Sequence, residues 1–331
     1  MLLRSLAGPE SLQSLARSSH AYAYFHSSMI AVYVAHQDKL QREGLAMEST
    51  RRILAIVILY KMTFDQSRGL TSLLKVISED DEVAETIDVM VCDNTPYEQS
   101  VPANFTGRFY RDTANPGLER WYNFGLKNAA ETGLHWVMLL DQDTEVTAQY
   151  IAEVIARTNE LEEKHEIVAI VPKLTQHGTV CSPLTPPTYR HHRPFDKSFA
   201  GVSAESLHVF NSGAVLRVSA LKEAGGFPKE FPLDYLDHAT FAALQSRGGR
   251  LFVLRSTLEH ELSSSNVRST DAASVERHRS WLLAEHRFYK LNGSVRDRIY
   301  RRIRLLRGAL GILIKHGAVT WSFRMMKAAL R

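Results

Sequence analysis

Runs of apolar residues alternate with amphipathic segments from about residue 51 onward. The runs Ile53–Leu59, Ile87–Cys92 and Trp136–Leu140 are rich in β-branched and other apolar residues, which predicts strands buried on both faces of a parallel sheet. Between them, Leu70–Ile77 and Leu118–Thr132 carry apolar residues at helical spacing. This alternation is typical of a doubly wound α/β fold, in which ligands bind at the carboxyl ends of the strands.

The same rhythm continues through the second half of the chain. Further strands are expected at Phe109–Arg111, Ile167–Val171 and Leu251–Leu254. Further helices are expected at about 148–164, at Val218–Ala224 and from Asp237 to about Arg247. The stretch 175–202 is rich in Pro and His, which predicts an irregular loop.

Composition supports a globular protein of 331 residues, a length that suits one large α/β enzyme or two modest domains. Hydrophobic residues make up 44% and charged residues 23% of the chain, which excludes collagen-like and wholly disordered classes. The two cysteines, Cys92 and Cys181, lie far apart and lack metal-ligand spacing. Zinc-ribbon and disulfide-scaffold classes are therefore excluded, and a reducing compartment is favoured.

The pattern divides the chain into three regions. Residues 1–50 form an uncertain N-terminal extension, which has Arg4, Arg17 and many Ser and weakly resembles a targeting peptide. An equally good interpretation is that translation starts at Met47. Residues 51–262 form the α/β domain, and residues 263–331 form a helical, basic C-terminal region.

The C-terminal region is strongly basic. From Arg296 to Arg331 there are ten Lys or Arg against one acid, a local balance of +9 in a chain whose net charge is +4, so the rest carries −5. No apolar run approaches the ~20 residues of a membrane-spanning helix. Six apolar residues between the arginines recur every three or four positions: Ile299, Ile303, Leu306, Leu310, Leu313 and Ile314.

Two interpretations of this pattern stay open. An amphipathic helix suits an anionic membrane surface, whereas a terminal helix could also pack its apolar face on the body and leave an ordinary basic face in solvent. Nucleic-acid binding is not expected, since no recognised nucleic-acid module accompanies the charge.

Candidate chemistry is concentrated where the strands end. Asp141-Gln142-Asp143 follows the strand at 136–140, so two like charges project into one crevice and call for a cation. Mg²⁺ and Mn²⁺ prefer carboxylate oxygens and complete their shell with water and phosphate oxygens. The alternative is that these acids only cap the helix that follows.

Further polar motifs follow in a fixed order, and together they carry a resemblance. They are Asp93 at the end of the second strand, Asn115-Pro116-Gly117, Asn123-Phe124-Gly125, Asp141-Gln142-Asp143, Phe210-Asn211-Ser212-Gly213-Ala214, Asp234-Tyr235-Leu236-Asp237-His238 and Glu259-His260. From about Ile53 to Leu262 the chain resembles the inverting glycosyltransferases of family 2, especially their rhamnosyltransferase-like branch. The resemblance implies a nucleotide-sugar transferase of the GT-A fold, with a mainly parallel sheet flanked by helices.

The resemblance also implies roles at the donor site. Asp93 would hold the nucleobase and Tyr60 would line the nucleotide pocket, while Asp141 would contact the ribose or a metal ion. Asp143 would bind that Mg²⁺ or Mn²⁺ ion, and His260 could approach the metal or the diphosphate. The remaining donor-site candidates are Asn94, Asn115 and Gln142.

On the acceptor side, the resemblance places the catalytic base at Asp237. Asp234 would support it or contact the acceptor. Asn211, Ser212 and Gly213 either contact the sugar or only form a turn at a strand end.

The chain departs from the family pattern at one position. Many relatives have an Arg about six residues after the base, whereas this chain has Ala243, with Arg247 one turn later as a possible substitute. This departure leaves the acceptor open. His191-His192 suggests a metal pair, but adjacent side chains in a loop point apart, so a solvated loop is favoured.

The expected function is transfer of a sugar, with rhamnose favoured, from a dTDP-, UDP- or GDP-linked donor to a glycan or lipid-linked acceptor in surface polysaccharide or glycolipid synthesis. The expected location is cytoplasmic, peripheral at the inner face of the cytoplasmic membrane. Two alternatives remain: a DxD-type phosphatase or phosphotransferase, suggested by Leu140-Asp-Gln-Asp-Thr144, and a non-catalytic nucleotide-sugar-binding, membrane-associated protein, suggested by Ala243.

Overall fold

The structure, a computed structural model, describes residues 52–185, 193–260, 272–316 and 319–330. The expectations for the N-terminal extension, for a start at Met47 and for His191-His192 lie outside the described residues. Eleven strands and nine helices form in the described part. In chain order they are β1 Ile53–Leu59, α1 Arg68–Glu79, α2 Asp81–Thr86, β2 Ile87–Asp93, β3 Arg108–Arg111, α3 Leu118–Glu131, β4 Trp136–Asp141, α4 Ala148–Glu160, β5 Ile167–Gln176, β6 Thr179–Ser182, β7 Leu184–Thr185, β8 Arg193–Pro194, β9 Gly201–Val202, β10 Ala214–Arg217, α5 Val218–Ala224, α6 Leu236–Gln245, β11 Arg250–Glu259, α7 Ala272–Asn292, α8 Val295–His316 and α9 Val319–Ala329.

A nine-stranded sheet organises the described chain. Eight strands follow the order β3-β2-β1-β4-β10-β5-β11-β9, and β6 pairs with β5. The four strands from β3 to β4 are parallel, but β10 runs antiparallel to both β4 and β5, and β9 runs antiparallel to β11. The mainly parallel α/β fold flanked by helices is therefore confirmed, and within that order of eight strands the antiparallel strands β9 and β10 are the departures from the parallel pattern.

The central strands are buried on both faces because helices cover both sides of the sheet. Every residue of β1 is buried, and its alternate side chains enter two different hydrophobic layers. Leu54 and Ile56 pack in the layer that contains Trp121 of α3, whereas Ile53 and Ala55 pack in the layer of α1 and α4. This explains why the strand reads as a continuous apolar run.

The stretch 175–202 is more regular than expected in its described part, which corrects the prediction of an irregular loop. β5 continues to Gln176 and turns through His177 and Gly178 into β6, and both turn residues have positive φ. Such a two-residue turn matches the twist of paired strands. His177 is not one of the usual residues of this turn, so the hairpin has little local signature.

The C-terminal region is helical, as predicted. Helices α7, α8 and α9 pack around a small apolar cluster that contains Leu282, Leu305 and Ala328. At their centre the Arg301 guanidinium lies 3.0 Å from Glu285 Oε2, with both side chains almost completely buried. Among the helices that the structure describes, none is long and apolar enough to cross a membrane.

Candidate active site

The Asp-Gln-Asp turn after β4 is clamped by the start of α1. The backbone N–H of Gly69 donates to Gln142 O at 3.1 Å, and the Ser67 hydroxyl donates to the same oxygen at 2.9 Å. A Cβ atom at Gly69 would lie only 2.2 Å from the backbone oxygen of Asp141. Glycine is therefore required there, because any side chain would push the turn out of place.

The structure brings three of the predicted metal ligands together. One ligand atom from each of Asp141, Asp143 and His260 lies within 4.8 Å of the others. Asp141 ends β4 and Asp143 follows it, whereas His260 follows β11, so the sheet unites residues that are more than a hundred positions apart in sequence. Two carboxylates and an imidazole can together bind a divalent ion.

Two buried hydroxyls connect to the imidazole of this cluster. His260 Nδ1 lies 2.9 Å from Thr144 Oγ1, which in turn lies 2.7 Å from Ser212 Oγ. When Nδ1 is held by a hydroxyl, Nε2 is the nitrogen left to bind a ligand. Supporting hydrogen bonds of this kind orient metal-binding histidines. Ser212 is thus connected to the cluster through the Thr144 hydroxyl.

Electrostatics in this cluster favour a bound cation. Burial raises the pKa of Asp141 to about 6, the His260 charge opposes that rise, and the neighbouring Asp143 charge adds to it. A divalent ion would relieve the repulsion between the two carboxylates and keep both ionised.

The predicted base, Asp237, lies in the first turn of α6 and faces the same region. Burial raises the pKa of its carboxyl to about 7, partly offset by a hydrogen bond from the His238 backbone N–H at 2.7 Å. The Asp234 charge raises that pKa further, and His260 lowers it slightly. The charge on Asp237 also raises the pKa of Asp141, so these groups share one electrostatic environment.

The segment before α6 is anchored by the C-terminal helices. Arg277 of α7 forms an ion pair with the largely buried Asp234 carboxylate. Tyr235 adopts a left-handed backbone conformation, with φ of 63°, and its hydroxyl donates to Glu285 Oε1 at 3.2 Å. Since few non-glycine residues adopt this conformation, these side-chain contacts hold the turn that presents Asp237.

Asp93 ends β2 with a completely buried carboxylate. Its Oδ1 accepts from the Thr95 backbone N–H at 2.8 Å and from Gln99 Nε2 at 3.3 Å. Its Oδ2 accepts no hydrogen bond from the described residues and lies 3.6 Å from Arg111 Nε. Apart from the Arg111 guanidinium, this buried oxygen has no partner among the described residues, so it keeps the capacity to accept from a ligand N–H donor.

Three predicted donor-site residues make contacts that hold the fold. Gln142 Oε1 accepts from the Tyr60 backbone N–H at 2.8 Å, which ties the ends of β1 and β4 together. The Tyr60 ring is 41% exposed, as a pocket-lining ring would be. Asn94 Oδ1 accepts from Trp121 Nε1 at 2.6 Å, so the buried Asn94 oxygen supports α3.

The Asn-Pro-Gly turn packs against the segment that leads to Asp237. Asn115 is exposed and has a φ of 49°, and Gly117 has a φ of 92°. A Cβ atom at Gly117 would lie 2.8 Å from Pro232 O, the same oxygen that accepts from the Leu118 backbone N–H at 2.9 Å. The predicted donor and acceptor segments are therefore in contact.

The predicted sugar-contact segment precedes β10. The Asn211 side chain is buried, and its Oδ1 has no hydrogen-bond partner among the described residues. Gly213 has a φ of 69°, and its carbonyl accepts from the Tyr150 hydroxyl at 2.5 Å. The geometry supports a turn at Gly213 and leaves an oxygen of Asn211 available to a ligand.

Ala243, which stands where the resemblance implies an Arg, and Arg247 lie at the end of α6. Arg247 Nη1 donates to Ala243 O at 3.0 Å, so it caps the end of α6, the end opposite to Asp237. Sequence reasoning missed Gly69, Thr144 and Arg277. Gly69 lies in the first turn of α1, where a glycine gives no sign of a distant contact, and Arg277 comes from a helix about 40 positions beyond Asp237, so neither carried a local sign.

No protein-family model matches the chain, and no curated protein is similar to it. Solved structures of S. aureus TarS are similar in fold. The fragment 1–349 has a TM-score of 0.46 at 13% identity, over 84% of this chain and 89% of that chain. The same fragment in complex with UDP-GlcNAc has a TM-score of 0.43 at 12% identity, with the same two shares covered. Likeness this distant does not bear on substrate or mechanism.

Proposed function

We propose that this protein is a metal-dependent glycosyltransferase that moves a sugar from a nucleoside-diphosphate donor to an acceptor hydroxyl, with a GT-A arrangement of its sheet. The observation that carries the proposal is one constellation. A cluster of two carboxylates and an imidazole lies at the carboxyl ends of β4 and β11, and the partly buried Asp237 carboxyl shares its electrostatic environment. Charge neutralisation and a separate base are the two requirements of such a transfer.

Asp141, Asp143 and His260 would hold the metal ion, Mg²⁺ or Mn²⁺. The donor set fits such an ion, because the two carboxylates supply hard oxygen ligands and the oriented imidazole supplies a nitrogen that Mn²⁺ tolerates better than Mg²⁺. When bound, the ion would neutralise the negative charge that develops on a leaving diphosphate.

Asp237 would accept the proton of the acceptor hydroxyl. Its pKa of about 7 lies near neutral pH, where a general base combines adequate basicity with partial ionisation. Its position at the start of α6, held by the contacts of Tyr235, fixes the carboxyl relative to the cluster. A single base on the acceptor side corresponds to direct displacement with inversion at the anomeric carbon.

Asp93 and Tyr60 would form the nucleotide pocket. Asp93 Oδ2, which accepts no hydrogen bond from the described residues, would accept one from a nucleobase or ribose, and the exposed Tyr60 side chain would cover the base. Asn115 would line the same pocket, while Asn94, Gln142 and Ser212 would support it. Asn211, Gly213 and Asp234 would face the sugar and the acceptor.

The sugar and acceptor follow from the family resemblance. We propose a deoxyhexose such as rhamnose, carried on dTDP, UDP or GDP, and a glycan or lipid-linked acceptor used for surface polysaccharide or glycolipid. Work on a lipid-linked acceptor would take place in the cytoplasm, peripherally at the inner face of the membrane.

A donor panel tests the proposal. The purified full chain is mixed with UDP-, dTDP- and GDP-sugars in Mn²⁺, Mg²⁺ or chelator, and thermal stabilisation and nucleoside diphosphate release are measured. One nucleotide class should stabilise the protein only with metal, since a ligand of the folded state raises its apparent stability. Asp237→Asn should keep that stabilisation and lose on the order of 100-fold or more of the release rate.

Three outcomes would overturn the proposal. Unchanged release by Asp237→Asn would remove this residue from the base role. Metal-dependent hydrolysis of a simple phosphate monoester, lost in Asp141→Asn and unaccompanied by any nucleotide binding, would favour a DxD-type phosphatase. Nucleotide-sugar binding without release in any condition would favour the non-catalytic alternative.

A further inference from the structure

The outward side of α8 carries an apolar stripe. Six apolar residues that are between 39% and 72% exposed make up this stripe: Val295, Ile299, Leu306, Leu310, Leu313 and Ile314. They recur at helical spacing, so they share one side of the helix. From Val295 to Ile314 the stripe is roughly 30 Å long at ~1.5 Å per residue. Soluble surfaces rarely present a continuous apolar stripe of this length.

Different residues attach α8 to the rest of the protein. Arg301, Leu305 and Ala309 are at most 3% exposed and face α7 and α9. Arg301 donates to Glu285 and to Ala328 O, and Ala309 O accepts from the Ser322 hydroxyl. The interpretation that the apolar stripe packs on the body is therefore wrong. Of its predicted members only Ile303 is partly buried.

Exposed arginines border the stripe. Arg296, Arg298, Arg302 and Arg307 are exposed, and none forms an ion pair with a described residue. The only acid in α8 is Asp297, which accepts hydrogen bonds from Ser294 at the helix start. The outward side of α8 therefore combines apolar side chains with exposed positive charges.

Helix α9 presents a second stripe of the same kind. Val319, Phe323, Met326 and Leu330 are between 37% and 82% exposed and are spaced at i, i+4, i+7 and i+11. Lys327 is exposed between them. The helix attaches to α8 through its other side, where Ser322, Ala328 and Ala329 are buried.

We propose that the exposed stripes of α8 and α9 form a docking surface for an anionic lipid bilayer, with α8 lying in the plane of the interface. Apolar side chains would enter the boundary between headgroups and acyl chains, and the bordering arginines would contact anionic headgroups. A second copy of this chain is a poorer occupant, because a two-fold contact through the same patch would bring arginines against arginines. The proposal deepens the peripheral location given with the proposed function.

Vesicle binding tests the surface. The full chain is sedimented with vesicles of phosphatidylcholine alone or of phosphatidylcholine with ~30% phosphatidylglycerol, an anionic lipid that gives the surface a negative potential. Chelator is present and nucleotide is absent, so the result does not depend on the donor site. We expect binding to the anionic vesicles that weakens with salt. Arg302→Gln with Arg307→Gln should lower the partition coefficient about 20- to 30-fold, since each basic residue near the surface contributes roughly fivefold.

Matched variants test whether vesicle binding depends on where the positive charge lies or only on the net charge of the protein. Arg120→Gln with Arg250→Gln removes the same charge from exposed positions elsewhere and should leave binding near the wild-type value. Leu306→Ser with Leu310→Ser keeps every charge and should also weaken binding strongly. The circular dichroism spectrum of each variant confirms that it is folded.

Three results would overturn the proposal. They are absence of vesicle binding by the folded wild type, equal loss of binding in the control pair, and a concentration-dependent dimer that Leu306→Ser with Leu310→Ser dissociates. The last result would assign the surface to a second copy of the chain. Failure of the donor panel would leave a positive vesicle result unchanged, so the two proposals fail separately.

Discussion

Replacing Asp237 by Asn should stabilise the protein at neutral and alkaline pH. The fold holds this carboxyl in a partly buried position next to Asp234, and its pKa is raised from an ordinary 3.8 to about 7. Asn has nearly the same shape and its oxygen can still accept from the His238 backbone N–H, but it never becomes charged. The substitution therefore removes the cost of burying a charge and retains the local contacts.

The sign and size of the effect follow from linkage between protonation and folding. Because the folded-state pKa is raised, the neutral carboxyl favours the folded state below pH 4, and this advantage is lost as pH rises through 7. A rise of about three pKa units corresponds to about 4 kcal/mol at pH 8, an upper bound because Asp237 is partly accessible to solvent. At pH 5 the same relation gives about 1 to 2 kcal/mol.

Urea unfolding of wild type and Asp237→Asn between pH 5 and pH 8, in chelator, measures the difference. The gap in free energy of unfolding should widen with pH and level off above about pH 7. Asp81→Asn is the matched control, since Asp81 is exposed in the first turn of α2. Removing the Asp81 charge should lower the free energy of unfolding by no more than about 1 kcal/mol, through its interaction with the helix dipole. A gap that is absent, or constant with pH, would refute the buried, raised-pKa assignment of Asp237.

Three further predictions concern the supports of the site. Gly69→Ala should weaken Mn²⁺ binding in a titration, because the new Cβ would displace the Asp-Gln-Asp turn, whereas Gly311→Ala in α8 meets no atom within 4 Å and should bind normally; equal binding by both variants would contradict this. Thr144→Val should lower metal affinity on the order of 10- to 100-fold by releasing the His260 ring, without unfolding the protein, and an unchanged affinity would show that the ring needs no such support. Glu285→Ala should lower the free energy of unfolding by about 3 to 5 kcal/mol, since it leaves a buried guanidinium without its carboxylate, and a loss below about 1 kcal/mol would contradict the buried pair.

The sequence predicted the elements whose pattern is local. The bounds of β1 agree with the run Ile53–Leu59, and α5 agrees with Val218–Ala224 and its stop at Gly225, because burial on both faces and a left-handed glycine leave direct signs in composition. The approach of His260 to Asp141 and Asp143 was implied by the resemblance to family 2 glycosyltransferases.

Features that depend on distant contacts were not predictable in the same way. The antiparallel direction of β10 depends on how the chain crosses between β4 and β5, and a short apolar run carries no direction. The anchoring of Asp234 by Arg277 joins positions from different elements, and an exposed arginine in an amphipathic helix looks the same whether or not it has such a partner. Periodicity placed the apolar stripe on α8 but did not tell which side faces the protein.

Metal binding at the Asp-Asp-His cluster tests the central claim most directly. Mn²⁺ is titrated into wild type, Asp143→Asn and the control Asp81→Asn, with and without UDP, dTDP or GDP, and free Mn²⁺ is followed by electron paramagnetic resonance. The account predicts that wild type and Asp81→Asn bind one Mn²⁺ ion, that one nucleoside diphosphate tightens this binding, and that Asp143→Asn loses both effects. Mn²⁺ binding by Asp143→Asn as tight as in wild type, or no binding by the folded wild type with any nucleotide, would contradict it.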